Sequence, residues 1–168
     1  SITFDPATTV APTVTEMVGD SSSYNSIDKA MDLSDRRLWG KPSAADAANV
    51  GDPNAASIHL TGTIAGSGQD NDYIKVYLKA GETLVMDIDN GYGGAAAVST
   101  DLSLQLYNSS FSSLASNATA SSASLGGGGS TATNDPYLEY TATVDGYYYV
   151  RVYNAVNGDA GTYDLWMS

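Results

Sequence analysis

From Ser57 onward, apolar and polar residues alternate with a period of two. Ile58, Leu60 and Gly62 fall on one side of the first run, and His59, Thr61 and Thr63 on the other. Tyr73 to Leu78 sets Ile74, Val76 and Leu78 against Tyr73, Lys75 and Tyr77. Thr83 to Asp89 repeats the pattern with Leu84, Met86 and Ile88, and Leu102, Leu104 and Leu106 form a fourth inward set. Leu138 to Thr143, Tyr147 to Asn154 and Thr162 to Met167 complete the series. Short runs of this period bounded by Gly, Asn, Asp and Ser predict half-buried strands. Seven of them predict an all-β fold, an antiparallel β-sandwich with jelly-roll-like connections.

Before Ser57 the pattern changes. Residues 1–19 carry Pro, Thr, Val and Ala without a clear period and read as a linker or edge segment. In Ser21 to Leu33 a Ser or Asn can cap, and Ile27, Ala30 and Met31 share a face at helical spacing, which predicts a short helix. Ser43 to Asp46 has the form of a second helical start. Residues 20–168 are expected to form one domain.

Turn chemistry joins the strands. Lys79-Ala80-Gly81-Glu82 and Val144-Asp145-Gly146 are short enough for hairpins. The long loops are Asn90 to Thr100 and Asn108 to Pro136. The second holds Gly126-Gly127-Gly128-Gly129-Ser130, which is either an introduced flexible linker or a natural loop through which backbone approaches a ligand.

Charge then narrows the partners. The chain of 168 residues has net charge −12, from 19 acidic and 7 basic residues. Phosphate binding needs a surplus of Lys and Arg, so neither nucleic acid nor an anionic membrane is an expected partner. Of the acids, 16 are Asp and 3 are Glu. Asp is a poor helix former that suits turns and the oxygen cages of calcium. Cysteine is absent, which removes disulfides, thiolate catalysis and cysteine-bound zinc. No apolar run is long enough to span a membrane. With no initiator Met and no signal peptide, the chain reads as a piece of a longer secreted protein.

The acids cluster at strand ends. Asp70-Asn71-Asp72 precedes one strand, Asp87-Ile88-Asp89-Asn90 ends another, and Asp101 closes the following loop. Asn134-Asp135 lies at the end of the second long loop, and Asn25 and Asp28 lie in the predicted helical segment. Calcium takes about six to eight oxygens. Asp87, Asp89, Asp101, Asp135, Asp70, Asp72, Asn25 and Asp28 are therefore candidate ligands, with Asx-turns as the structural alternative. Asn90, Gly91, Tyr92, Gly128 and Asn134 are the loop positions expected to meet a bound molecule. The spacing is not that of an EF-hand, because the position twelve residues along from Asp87, counted inclusively, is Val98.

Catalytic patterns are missing. The one histidine, His59, sits in mid-strand, and there is no nucleophile elbow, phosphate loop or dinucleotide fingerprint. The chain is not expected to be an enzyme. Tyr147, Tyr149, Arg151 and Tyr153 alternate on one strand face, which serves either as a ligand platform or as a stiffening cross-strand ladder.

The order Asp70-Asn71-Asp72-Tyr73-Ile74-Lys75-Val76-Tyr77-Leu78-Lys79-Ala80-Gly81-Glu82, Asp87-Ile88-Asp89, Thr100-Asp101-Leu102-Ser103-Leu104-Gln105-Leu106, Asp145-Gly146-Tyr147-Tyr148-Tyr149-Val150-Arg151-Val152 and Gly161-Thr162-Tyr163-Asp164-Leu165 resembles the bacterial pre-peptidase C-terminal domain family. The resemblance implies a β-sandwich appended to secreted proteins, with calcium in some members at positions matching Asn25, Asp28, Asp70 and Asp72. The usual Glu-Pro-Asn-Asp run is replaced here by Gly19-Asp20-Ser21-Ser22-Ser23. The acidic balance, absent Cys and two long loops are also similar to the peptide-binding module of RTX adhesins. That likeness implies a monomeric module of a bacterial surface fibre, active in biofilm adhesion. Its calcium would bridge to the C-terminus of a peptide or protein on another cell. The alternatives are a carbohydrate- or protein-binding accessory domain of a secreted hydrolase, and a calcium-rigidified spacer.

Overall fold

A computed structural model of the chain describes residues 13–15, 24–44, 47, 50, 54–64, 70–89, 102–117, 135–154 and 161–168. The strands among these residues form two five-stranded sheets. The first contains β1 (Thr13–Thr15), β3 (Ile58–Ile64), β5 (Thr83–Asp89), β8 (Tyr137–Thr141) and β10 (Gly161–Met167), in the spatial order β1-β3-β10-β5-β8. The second contains β2 (Met31–Asp32), β4 (Asn71–Leu78), β6 (Leu102–Asn108), β7 (Ser113–Asn117) and β9 (Gly146–Asn154), in the order β2-β4-β9-β6-β7. This is the all-β sandwich that the alternation predicts. All seven expected strands form, with ends shifted by one or two residues.

Packing follows the pleat. Ile58, Leu60 and Ile64 of β3, Leu84, Met86 and Ile88 of β5, and Tyr163, Leu165 and Met167 of β10 face inward from the first sheet. They meet Ile74, Val76 and Leu78 of β4, Leu102, Leu104 and Leu106 of β6, and Val150 and Val152 of β9. One polar link crosses this core: the Tyr163 hydroxyl donates to Asp72 Oδ2 at 2.7 Å. The Tyr163 ring lies over Gly62, where a Cβ would stand 2.2 Å from the ring. Only glycine leaves room for this inter-sheet bond.

Four expectations change. Both short turns predicted as hairpins instead cross between the sheets, since β4 and β9 belong to the second and β5 and β8 to the first. Local turn chemistry is the same for a hairpin and an arch; the inward rows on both sides select the arch. The two arches brace each other, with Ala80 N donating to Asp145 Oδ1 at 2.7 Å and Gly81 N to Ala142 O at 2.8 Å. Gly81, at φ 85°, supplies the left-handed step.

The predicted helix is a single 3-10 turn, Ile27–Lys29. Ser26 gives it no side-chain cap, and the chain leaves it extended at Ala30 to pair β2 with β4. A further 3-10 turn, not among the expected elements, forms at Arg36–Leu38 and is capped by Asp35. At the expected start at Ser43, Ala47 N donates to Ser43 O at 2.9 Å, the i+4 bond of a helical turn, while residues 45–46 lie outside the described residues.

Part of the long Ser-rich loop forms β7, returned from β6 by a turn in which Asn108 Oδ1 accepts the amides of Ser110 and Ser112. Two edge pairings, β1 with β3 and β2 with β4, are parallel. Thr13–Thr15 thus forms an edge strand within the segment expected to be a linker or edge.

Candidate functional site

Leu84, Met86 and Ile88 point into the core, so Asp87 and Asp89 lie on the outer face of the first sheet. The register sets their neighbours. Asp87 lies opposite Tyr137 on one side and Trp166 on the other, and Trp166 lies opposite His59. In the next row Asp89 pairs with Asp164. Asp135 joins them from the residue before Pro136, whose carbonyl accepts Ile88 N at 3.0 Å.

Three of these outward-facing acids are not solvated. Asp87 and Asp135 have no exposed surface, and Asp89 is 5% exposed. Asp89 Oδ1 has no hydrogen-bond partner. Burial, and then the negative charges of Asp135 and Asp164, push the Asp89 carboxyl up to about 7, against the opposing pull of a hydrogen bond from Trp166. Asp164 is held by His59 Nε2 at 2.7 Å, and the imidazole stacks on the Trp166 ring at 3.7 Å between centroids. His59 is therefore a partnered strand histidine. Burial, the bond to Glu139 and the charges of Glu139 and Asp87 also push the Tyr137 phenol upward.

A buried carboxylate with an unpaired oxygen, in the field of two others, is costly unless a proton or a cation neutralises it. Asp87, Asp89, Asp135 and Asp164 carry oxygen donors of the type that hard cations take. Among the described residues, no three His, Asp or Glu side chains are grouped so that they could hold a metal ion.

The other expected ligands lie elsewhere. Asn25 Oδ1 and Asp70 Oδ1 both accept the Asn71 amide, at 2.9 and 3.1 Å, and Tyr24 O accepts Tyr73 N. These bonds dock the 3-10 turn onto β4. Asp72 faces the core and holds Tyr163, while exposed Asp28 is lowered chiefly by its bond to Ser26. Asn25 and Asp70 thus meet at the Asn71 amide, next in the chain to Asp72. Asp101, Asn90, Gly91, Tyr92, Gly128 and Asn134 lie outside the described residues. Sequence reasoning missed Asp164, Trp166 and His59 as members of the outer-face group. The alternation of Asp164 with Tyr163 and Leu165 was its one available signal.

The outer face of the second sheet differs in kind. Tyr73 and Tyr77 of β4, Tyr147, Tyr149 and Tyr153 of β9, and Tyr107 of β6 share it with Lys75 and Arg151. The Arg151 guanidinium lies 4.0 Å over the Tyr153 ring. It donates to Asn71 Oδ1 at 2.5 and 2.8 Å and to Gln105 Oε1 at 3.2 Å. Among the described residues it has no carboxylate partner.

The model of the bacterial pre-peptidase C-terminal domain family matches residues 70–154, just over half of the chain. No curated protein matches by sequence. Among solved structures, a periplasmic inhibitor of g-type lysozyme, PliG of Aeromonas hydrophila, shares 15% identity over 96% of this chain and 98% of its own, with a TM-score of 0.44. The pre-peptidase C-terminal domain of Bacillus anthracis collagenase shares 20% identity over 67% of this chain and 89% of its own, with a TM-score of 0.45. Salmonella Typhimurium PliG shares 19% over 67% and 86%, with a TM-score of 0.42.

Proposed function

We propose that this chain, which belongs to the bacterial pre-peptidase C-terminal domain family, is a non-catalytic binding module that uses calcium on the outer face of its first sheet. The observation carrying this reading is Asp89, buried, with one carboxylate oxygen unpartnered and its proton affinity raised by Asp135 and Asp164. Asp87, Asp89, Asp135 and Asp164 would hold the ion. Calcium would neutralise the group and keep a position open for an incoming carboxylate oxygen. The ligand would be the C-terminus of a peptide or protein on another cell, and the module would be extracellular, part of a large bacterial surface adhesin of the RTX kind.

Calorimetry with short peptides tests this. Binding should need calcium, vanish in excess chelator, fall when the peptide C-terminus is amidated, and be lost in Asp89→Asn and Asp135→Asn. Unchanged affinity in chelator would end the proposal.

A second reading rests on the Tyr and Arg151 face. An accessory domain of a secreted hydrolase would grip protein or carbohydrate there, independently of calcium. Pull-down on insoluble protein and polysaccharide with Tyr149→Ala and Tyr153→Ala separates the two, because retained binding in both variants removes this face from consideration.

A further inference from the structure

The outward rows of β4, β6 and β9 hold no Asp or Glu, in a chain with 19 acidic and 7 basic residues. They hold the six tyrosines, Lys75 and Arg151, with the amides of Asn71 and Gln105. The charge of the chain is locally reversed there. Lys75 Nζ lies 4.2 Å over the Tyr147 ring and reaches Asp32 at the sheet edge at 3.3 Å. Arg36 and Arg37 also pair with carboxylates. Arg151, among the described residues, bonds only to neutral oxygens.

Arg151 is held in place before any ligand arrives. Asn71 Oδ1 accepts its Nε and Nη2, and Gln105 Oε1 and Tyr107 Oη accept Nη1 at 3.2 and 3.4 Å. Gln105 is itself fixed, accepting from Tyr107 Oη at 2.6 Å and donating to Ser113 Oγ at 3.1 Å. Beside this network stands Phe111. Its ring stacks on Tyr107, with centroids 4.4 Å apart, and meets Tyr73 at 5.9 Å. Phe111 is 44% exposed, and its φ of 59° is a conformation that glycine adopts more easily. The turn between β6 and β7 thus accepts backbone strain and raises an aromatic ring above the sheet.

These features select a ligand. At the usual strand spacings the face runs about 20 Å from Tyr147 to Tyr153 and about 10 Å from β4 to β6. It is a platform for several linked units rather than a pocket for one. A sheet face offers no backbone donors or acceptors to pair with those of a peptide. It offers phenols, amides and ring faces, which suit the hydroxyls and C–H faces of sugars. Arg151 adds a fixed positive charge that suits a carboxylate. The net charge of −12 repels a dense polyanion, so the acid belongs on isolated units of a mostly neutral chain. We propose that this face binds a glycan chain bearing a uronic acid unit, with the carboxylate at Arg151 and a sugar ring against Phe111. This rests on the second, calcium-independent reading above and names its ligand.

The test is amide NMR of the intact chain in chelator. The probes are xylotetraose carrying one glucuronic acid, the methyl ester of that compound, and plain xylotetraose. Saturable shifts are expected at Tyr149, Arg151 and Tyr153, with a dissociation constant on the order of millimolar for the acid. The ester and the neutral chain should bind about tenfold more weakly, having lost a charged hydrogen bond. Arg151→Gln should erase the preference for acid over ester. Phe111→Gly suits the backbone of its turn, so the fold is retained, and it should weaken acid and ester alike several-fold. An acid preference that survives in Arg151→Gln, wild-type binding in Phe111→Gly, or tighter binding of a hexaglutamate peptide would overturn the proposal. Equal binding of all three probes would overturn it and leave the second reading standing. Shifts with none of them would overturn it too, and the pull-down above then decides the second reading alone.

Discussion

The two outer faces of this sandwich are built on the same pleat and carry opposite chemistry. On the first sheet, Asp87, Asp89 and Asp135 are buried, and the charge of Asp164 adds to the field at Asp89. On the second, six tyrosines share the face with Arg151, whose charge is met by neutral oxygens and an aromatic ring. One face concentrates like charge in a poorly solvated place and is stable only when that charge is neutralised by protons or a cation. The other spreads the Arg151 charge over neutral partners, pairs Lys75 with Asp32, and is complete as it stands. The acidic face should therefore respond to pH and calcium, and the tyrosine face to neither.

The largest expected effect separates the faces directly. Between about pH 4 and 7 the folded protein keeps on Asp89 a proton that the unfolded chain has released. Stability without calcium therefore falls as pH rises through that window. At pH 8 in chelator, Asp89→Asn should be more stable than wild type by roughly 2–4 kcal/mol, and the gap should close toward pH 4. Calcium should stabilise wild type at pH 8 and leave Asp89→Asn nearly unmoved. Urea unfolding across pH measures all three, and a variant with the wild-type pH slope would show that Asp89 is not the responsive group.

Tyr163→Phe is expected to cost about 1–3 kcal/mol, because Asp72 loses the hydroxyl that satisfies it inside the core. This link joins the sheets, so both faces should weaken together and the calcium increment should persist. A loss of calcium response here would blur the contrast.

Arg151→Ala should cost about 1–2 kcal/mol, from its bonds to Asn71 and Gln105 and its stacking on Tyr153. Its calcium response should equal that of wild type, as read by thermal unfolding with and without the ion. Tyr147→Ala should change stability by less than about 0.5 kcal/mol, since its ring is 44% exposed. A larger loss would mean that the tyrosine ladder is mainly a stiffener.

Legibility followed the range of the interaction. Asp87, Asp89 and Asp135 stood out because carboxylates at strand ends beside long loops are a local signal. Asp164 did not, because its place beside Asp89 depends on the pairing of β10 with β5, strands separated by most of the second half of the chain. That Asn25 meets Asp70 at the Asn71 amide, and that Asp72 faces inward to Tyr163, likewise depends on contacts between distant segments. The short turns at Gly81 and Gly146 looked like hairpins, yet both join different sheets.

The alternation of apolar residues alone determined that this chain forms strands, which side of each faces inward, and that Tyr147, Tyr149, Arg151 and Tyr153 share an outer face. These follow from the two-residue period of a strand, a property of adjacent residues. Tertiary structure decided which strands neighbour one another, and with that which acids meet. Register and sheet order are set by packing between distant segments, and burial is set by what lies across the sheet. So the chain announced its aspartates, and only the fold made Asp89 a buried carboxylate among others.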